Sequence, residues 1–172
     1  MVAAPAKWRI EPLGKQHDRA AFTCGIPALD DYIKTKATQD DRRDATKTYV
    51  ALAHGTDLVV GYYTLSNTGI DLSAIPEAEV ARFARYPIVG ATLIGRLARD
   101  LSEKGKGLGE FLLIDALYRS LQLSRQIASA AVVVEAKDHD AVTFYQRYGF
   151  VQLLLNGRKL ILPMRTIDRL FK

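Results

Sequence analysis

A chain of 172 residues, 48% of them hydrophobic and 25% charged, is long enough for one well-buried core and short for two domains. That balance, with a mean hydropathy of -0.04, excludes a disordered tail protein, a collagen-like repeat and a coiled coil. Lys and Arg total 24 against 19 Asp and Glu, a formal charge of +5; the excess fits an anionic partner such as nucleic acid or a phosphorylated cofactor without proving one.

Met1 to Lys7 carry neither a basic leader nor a continuous apolar run, so no signal peptide is expected. No apolar stretch approaches the roughly 20 residues of a membrane span. Cys24 is the single cysteine, which suits a reducing compartment, and with no activating base beside it in sequence it reads as a small packing residue. A soluble, cytoplasmic protein with one domain over residues 1–172 is the expectation.

The elements begin with a strand from Trp8 to Leu13. Phe22, Leu29, Tyr32 and Ile33 fall at helical spacing, with Pro27 near the helix start and a polar end at Gln39 to Asp44. Two β-rich runs, Thr48 to Ala53 and Leu58 to Ser66, are joined by His54-Gly55-Thr56-Asp57 as a hairpin. Ile75 to Phe83 reads as helical and is cut off by Tyr86-Pro87. Ala91 to Leu101 reads as a strand, Lys104 to Gly109 as a glycine-rich turn, and about Gly107 to Arg125 as a long apolar helix. The polar positions Glu110, Asp115, Arg119, Gln122 and Gln126 form a narrow stripe on that helix, so most of its surface is expected to be buried. Ala130 to Glu135 is a buried strand, and Asp138 caps a short helix ending at Arg147. Phe150 to Leu155, an Asn156-Gly157 turn and Lys159 to Leu162 make a closing hairpin. The order defines an α/β (α+β) fold around a mixed sheet.

Lys104-Gly105-Lys106-Gly107-Leu108-Gly109 lies directly between a strand and a helix. Glycines there let successive N–H groups point into one concavity, where the positive end of the helix dipole adds to the field. The loop is not a P-loop, because no Gly-Lys-Ser/Thr follows. Nor is it a dinucleotide fingerprint, because Glu110 stands where a third glycine would be. A flexible turn is the bland alternative.

Around this loop the sequence resembles the GNAT acetyltransferases, which carry Gln/Arg-x-x-Gly-x-Gly/Ala between a strand and the following helix to hold the pyrophosphate of acetyl-CoA. Lys104 replaces the Gln or Arg and keeps a donor and a positive charge. The resemblance implies a single GNAT-like domain with a central, mostly antiparallel sheet flanked by helices. It implies that acetyl-CoA is held by Lys104, Gly105, Lys106, Gly107, Leu108, Gly109 and Glu110, and by main-chain groups of Leu97, Ala98 and Arg99. Arg99 stands where a small apolar residue is usual.

In Ala141-Val142-Thr143-Phe144-Tyr145-Gln146-Arg147-Tyr148-Gly149-Phe150, residues alone leave Tyr145 open between core and catalyst; Phe144, Tyr148 and Phe150 read as packing. Tyr145 is similar to the GNAT tyrosine that protonates the departing CoA thiolate. Phe22-x-Cys24-Gly25-x-x-x-Leu29-Asp30-x-Tyr32, Gly61-Tyr62-Tyr63-Thr64-Leu65-Ser66, Arg85-Tyr86-Pro87 and Gly95-Arg96-Leu97-Ala98 resemble one GNAT branch, the toxins that acetylate the α-amino group of aminoacyl-tRNA. That resemblance implies aminoacyl-tRNA as acceptor, a ribbon-helix-helix antitoxin as partner and a homodimer. Rival readings are a GNAT acting on a small-molecule or protein amine, and a basic binding module without catalysis.

An α-amino group beside an ester titrates below a chain terminus, so no strong general base is required. Glu135 is a candidate acting through water, while His139, between Asp138 and Asp140, reads as a surface residue. His17 and His54 are scattered, and with one cysteine no metal site is expected. Acyl-group selectivity is expected near Tyr63, Ser66 and Phe83. The candidate tRNA-binding cations are Lys34, Lys36, Arg42, Arg43 and Lys47; Arg82, Arg85 and Arg96; and Arg158, Lys159, Arg165, Arg169 and Lys172.

Overall fold

Alternating apolar and polar residues in some segments and continuous apolar runs in others produce strands β1 (Trp8–Pro12), β2 (Lys47–Ala53), β3 (Val59–Asp71), β4 (Ile88–Arg99), β5 (Ala131–Glu135), β6 (Val151–Leu153) and β7 (Asn156–Pro163). The structure, a computed structural model, describes residues 7–172; the reading of the stretch from Met1 as leaderless falls, but for Lys7, outside them. The seven strands form one sheet in the order β1-β2-β3-β4-β5-β7-β6. Pairing is antiparallel in β1–β2, β2–β3, β5–β7 and β6–β7, and parallel in β4–β5. Helices α1 (Pro27–Asp31), α2 (Ala37–Arg42), α3 (Glu77–Val80), α4 (Leu108–Ser124), α5 (His139–Gln146) and α6 (Met164–Leu170) complete the mixed fold that the element order implied.

The chain divides into two compact units. The first comprises residues up to Leu65 with Arg96–Asp115. Period-two alternation places Val50, Leu52, Tyr62 and Ala98 in one cluster with Phe22, Tyr32, Ile33 and Ala37. Pro27 opens α1 with its φ already suited to a helix. The expected single helix is interrupted: a π-turn spans Tyr32–Lys36 before α2, and the Tyr32 hydroxyl donates to Asp40 Oδ2 at 2.9 Å. Gly61 admits the start of α4, because a Cβ there would lie 3.0 Å from Leu112 and 3.2 Å from Leu108. The Tyr63 hydroxyl donates to Asp115 Oδ2 at 2.5 Å.

The second unit comprises Ser66–Gly95 and Ala116–Lys172. Ile70, Phe83, Val89, Ala131, Val133 and Ile161 build its core. Three expectations are corrected here. β3 continues past Ser66 to Asp71, and the helix expected over Ile75 to Phe83 contracts to Glu77–Val80. The closing hairpin turns at Leu154-Leu155, with Leu155 at φ 64°, rather than at Asn156-Gly157. A register shift between Gln152 and Leu153 and a hydrogen bond from Gln152 Nε2 to the Gly157 carbonyl at 2.7 Å draw Asn156 and Gly157 into β7. α6 was not expected at all.

Helix α4 also departs from the expectation. Leu112, Leu113, Ala116, Leu117 and Ser120 are buried, but Phe111, Ile114 and Tyr118 are exposed. A helix apolar on nearly all sides cannot bury them all, so its solvent face is wider than the polar stripe, none of whose residues is buried.

Candidate active site

The glycine loop sits where the sequence placed it, after β4 and a short 3₁₀ turn at Leu101–Glu103. Gly105 (φ 77°) and Gly107 (φ 89°) adopt the left-handed conformation that a side chain disfavours, and no atom lies within 4 Å of a Cβ built on either. The requirement for glycine is therefore backbone curvature with open space above it. Lys104, Gly105, Lys106, Gly107 and Glu110 are exposed or half-buried at the surface, Gly109 is half-buried and Leu108 is buried as an anchor. The first N–H groups of the 17-residue α4 have no intrahelical acceptor and carry the positive helix end. Lys106 lies 3.6 Å from Glu103 Oε2 in an exposed pair. The arrangement is competent to bind a pyrophosphate-sized anion.

Asp100 clasps this loop, and sequence reading passed it over. Its Oδ1 accepts from the Thr23 amide at 2.8 Å and its Oδ2 from the Ser102 amide at 3.0 Å, while Leu101 N–H donates to the Thr23 carbonyl at 2.9 Å. Asp-x-Ser before a turn was the available signal. Burial pushes the Asp100 carboxyl up, but the Thr23 amide, the Ser102 donors and Lys34 together hold it below the usual carboxylate range. Its stabilising effect is therefore present above about pH 4 and lost as pH falls through the lowered value. Asp100→Ala should cost about 1 kcal/mol, a fall of about 2–4 °C in Tm at neutral pH by calorimetry. The difference from wild type should vanish in acid.

β4 pairs with β5 over Thr92–Ile94 and continues to Arg99. On this continuation Leu97 and Arg99 are half-buried on one face and Ala98, 2% exposed, is buried on the other. These residues and the loop belong to the first unit; Tyr145 belongs to the second. Asp138 caps α5 by accepting from the Ala141 amide at 2.8 Å. Tyr145 is buried, its ring 5.2 Å from Phe144 and 5.5 Å from Phe150. Burial pushes its phenol above the ordinary tyrosine range. A protonated phenol is competent as a hydrogen-bond donor and acid and not as a base.

Glu135 and His139 are exposed. His17 is buried, with Gly14 N–H donating to Nδ1 at 2.9 Å and Glu11 3.3 Å from Nε2, so it braces a loop. Cys24 is half-buried against the first unit's core, and its Sγ donates to the Ile26 carbonyl at 3.7 Å. Among the described residues no group of three or more metal-ligating side chains converges, and no helix is long and apolar enough to cross a membrane. Of the three residues expected to shape acyl selectivity, Tyr63 and Phe83 are buried in their cores and Ser66 alone is partly exposed.

The basic clusters are sorted by their partners. Lys36 pairs with Asp31 at 3.5 Å and Lys47 with Asp41 and Asp44 at 3.1 Å, whereas Lys34, Arg42 and Arg43 have no ion pair among the described residues. Arg96 is half-buried with its guanidinium 3.6 Å above the Tyr32 ring. Arg82 is held by Glu79, and Lys172 and Arg125 by Asp168.

No family profile matches the sequence. It is 33% identical over 177 residues to the probable toxin TacT of Sinorhizobium fredii (strain NBRC 101917 / NGR234), covering 96% of both chains. It is 34% identical over 133 residues to the tRNA-acetylating toxin of Mycobacterium tuberculosis (strain ATCC 25618 / H37Rv), covering 77% of this chain and 78% of that one. Among solved structures, a tyrosine-to-phenylalanine mutant of KacT matches with a TM-score of 0.90 at 27% identity, over 96% of this chain and 100% of that one. AtaT complexed with acetyl-methionyl-tRNAfMet matches with 0.88 at 28% identity, over 96% and 99%. A tyrosine-to-phenylalanine mutant of AtaT bound to the C-terminus of the antitoxin AtaR and acetyl-CoA matches with 0.82 at 26% identity, over 97% and 99%. A mixed seven-stranded sheet whose strand β4 leads through a glycine-rich loop into a long helix is the fold of a GNAT acetyltransferase. Within that class the chain belongs to the tRNA-acetylating toxins.

Proposed function

We propose that the protein transfers acetyl from acetyl-CoA to the α-amino group of an aminoacyl-tRNA, blocks translation by doing so, and is neutralised by a cognate antitoxin. The observation that carries this reading is the whole-chain likeness to AtaT complexed with acetyl-methionyl-tRNAfMet. Residues 1–172 act as one catalytic domain in the cytoplasm, as a homodimer, against an antitoxin of ribbon-helix-helix type. The complex of AtaT with the antitoxin AtaR supports an antitoxin as partner.

Main-chain groups of Leu97, Ala98 and Arg99 hold the pantetheine arm. The loop from Lys104 to Glu110 holds the pyrophosphate, with its two lysines and the α4 N-terminus supplying the field. A β4 N–H polarises the thioester carbonyl. The neutral amine forms the new C–N bond, the C–S bond breaks, the thiolate takes the Tyr145 proton, and the surplus proton of the attacking nitrogen passes through water to the phenolate, which restores the phenol. Because the Tyr145 phenol is a weaker acid than an ordinary thiol at about 8.5, its transfer proceeds as the C–S bond opens. Mutants of KacT and AtaT in which a tyrosine is replaced by phenylalanine support a tyrosine in this role.

Adding the protein and labelled acetyl-CoA to a translation extract should place label on charged tRNA and stop synthesis; label on free amino acids or peptides alone would refute the acceptor. Reversing Lys34, Arg42 and Arg43 to glutamate should weaken tRNA binding strongly. The log–log salt dependence should flatten by about 0.9 for each phosphate that the variant no longer neutralises. Equal KM and equal salt slope would remove this cluster from the tRNA surface.

A further inference from the structure

The segment Arg82-Phe83-Ala84-Arg85-Tyr86-Pro87-Ile88, in the second unit, exposes apolar side chains from a firmly held backbone. Tyr86 is 70% and Ile88 65% exposed, while Phe83 and Val89 on either side are each 6% exposed in the core. Tyr86 N–H donates to the Ala84 carbonyl at 2.9 Å, and Leu72 N–H donates to the Pro87 carbonyl at 3.0 Å. Arg82 ties the segment to Thr166 at 3.2 Å and to Glu79 at 3.4 Å. The tyrosine is thus presented by fixed chain, not by a loose tip.

Beside it the sheet is bare. Gly69 and Gly90 occupy exposed strand positions, where glycine weakens a strand and gains nothing from packing. Ile88 and Gly90 share a face of β4, and a Cβ on Gly69 would meet only Ile88, at 2.9 Å, while one on Gly90 would meet nothing. Residues 81–90 contain no acidic side chain, and Arg85 is exposed without an ion pair among the described residues. A flat apolar shelf, one presented aromatic ring and an adjacent guanidinium are the requirements for holding an unstacked base with its phosphate.

We propose that Tyr86, Ile88 and the Gly69/Gly90 face stack a base of the acceptor RNA's single-stranded 3′ end while Arg85 contacts its backbone phosphate. This rests on aminoacyl-tRNA being the acceptor. Tyr86 would be a positioning residue for that substrate.

Steady-state acetylation of charged tRNA by wild type, Tyr86→Ala, Tyr86→Trp and Arg85→Ala tests it. Tyr86→Ala should raise KM for charged tRNA by about tenfold, with kcat and KM for acetyl-CoA unchanged and the salt slope intact; Tyr86→Trp should restore KM. Arg85→Ala should reduce the salt slope by about one. Wild type that labels charged tRNA, with Tyr86→Ala matching it, overturns the shelf while leaving the acceptor reading standing. Wild type that leaves charged tRNA unlabelled overturns both. A Tyr86→Ala variant that keeps its KM but loses antitoxin neutralisation, or changes its mass in sedimentation, assigns the face to a protein partner and overturns the proposal.

Discussion

Tyr145→Phe should reduce acetyl transfer to charged tRNA by about 10²–10³-fold while leaving acetyl-CoA affinity within about twofold of wild type, since an acid that acts as the C–S bond breaks contributes to kcat and not to donor binding. Phenylalanine keeps the ring against Phe144 and Phe150, so loss of activity at unchanged Tm separates chemistry from folding. Single-turnover transfer with isothermal titration of acetyl-CoA measures both. A variant as fast as wild type would sink the acid assignment. The pH dependence carries a second signature. Burial raises the Tyr145 phenol, so the folded protein retains that proton longer than the unfolded chain. Its stability is then full below about pH 10 and falls as pH climbs beyond. Tyr145→Phe should lessen that alkaline loss.

Gly107→Val should raise KM for acetyl-CoA by tenfold or more, with a smaller change in kcat at saturation. At φ 89° with open space around it, the added side chain meets no neighbour; the cost is the strain of a β-branched residue in left-handed backbone, about 1–2 kcal/mol. The loop relieves that strain by turning its N–H groups away from the anion. Gly107→Ala should fall between the two. Donor KM within twofold of wild type in the valine variant would show that the loop does not hold phosphate oxygens.

Much of the fold was legible because its signals are local. Strand-forming apolar runs marked β1, β2, β4 and β5 to within about three residues, Pro27 and Asp138 announced helix starts through their own backbone preferences, and two glycines ahead of a long apolar run marked the turn into α4. Tyr145 was legible differently: its spacing allowed core or catalyst alike, and only the resemblance of its surroundings favoured catalysis. α6 was missed because its seven residues, Met164–Leu170, are mostly polar and follow a strand without a capping side chain. The shelf at Tyr86 was half-visible, as Arg85-Tyr86-Pro87, but exposure of a tyrosine has no sequence signature.

By itself the sequence determined the order of elements, the glycine loop between β4 and α4, the capped helix that carries Tyr145, and an excess of positive charge. Each depends on residues within a turn or two of one another. The tertiary structure alone decided which side chains are spent inside. Tyr63 is committed to Asp115 across 52 positions and Thr23 to Asp100 across 77, which fixes one residue expected near the acyl group inside the core and adds a clasp beside the 3₁₀ turn that leads into the loop. It alone moved the last turn to Leu154-Leu155, left Phe111, Ile114 and Tyr118 of α4 facing solvent, and divided the lysines and arginines into neutralised and available cations. Those outcomes are set by competition for burial and for hydrogen-bond partners among residues distant in the chain, and no local window contains both competitors.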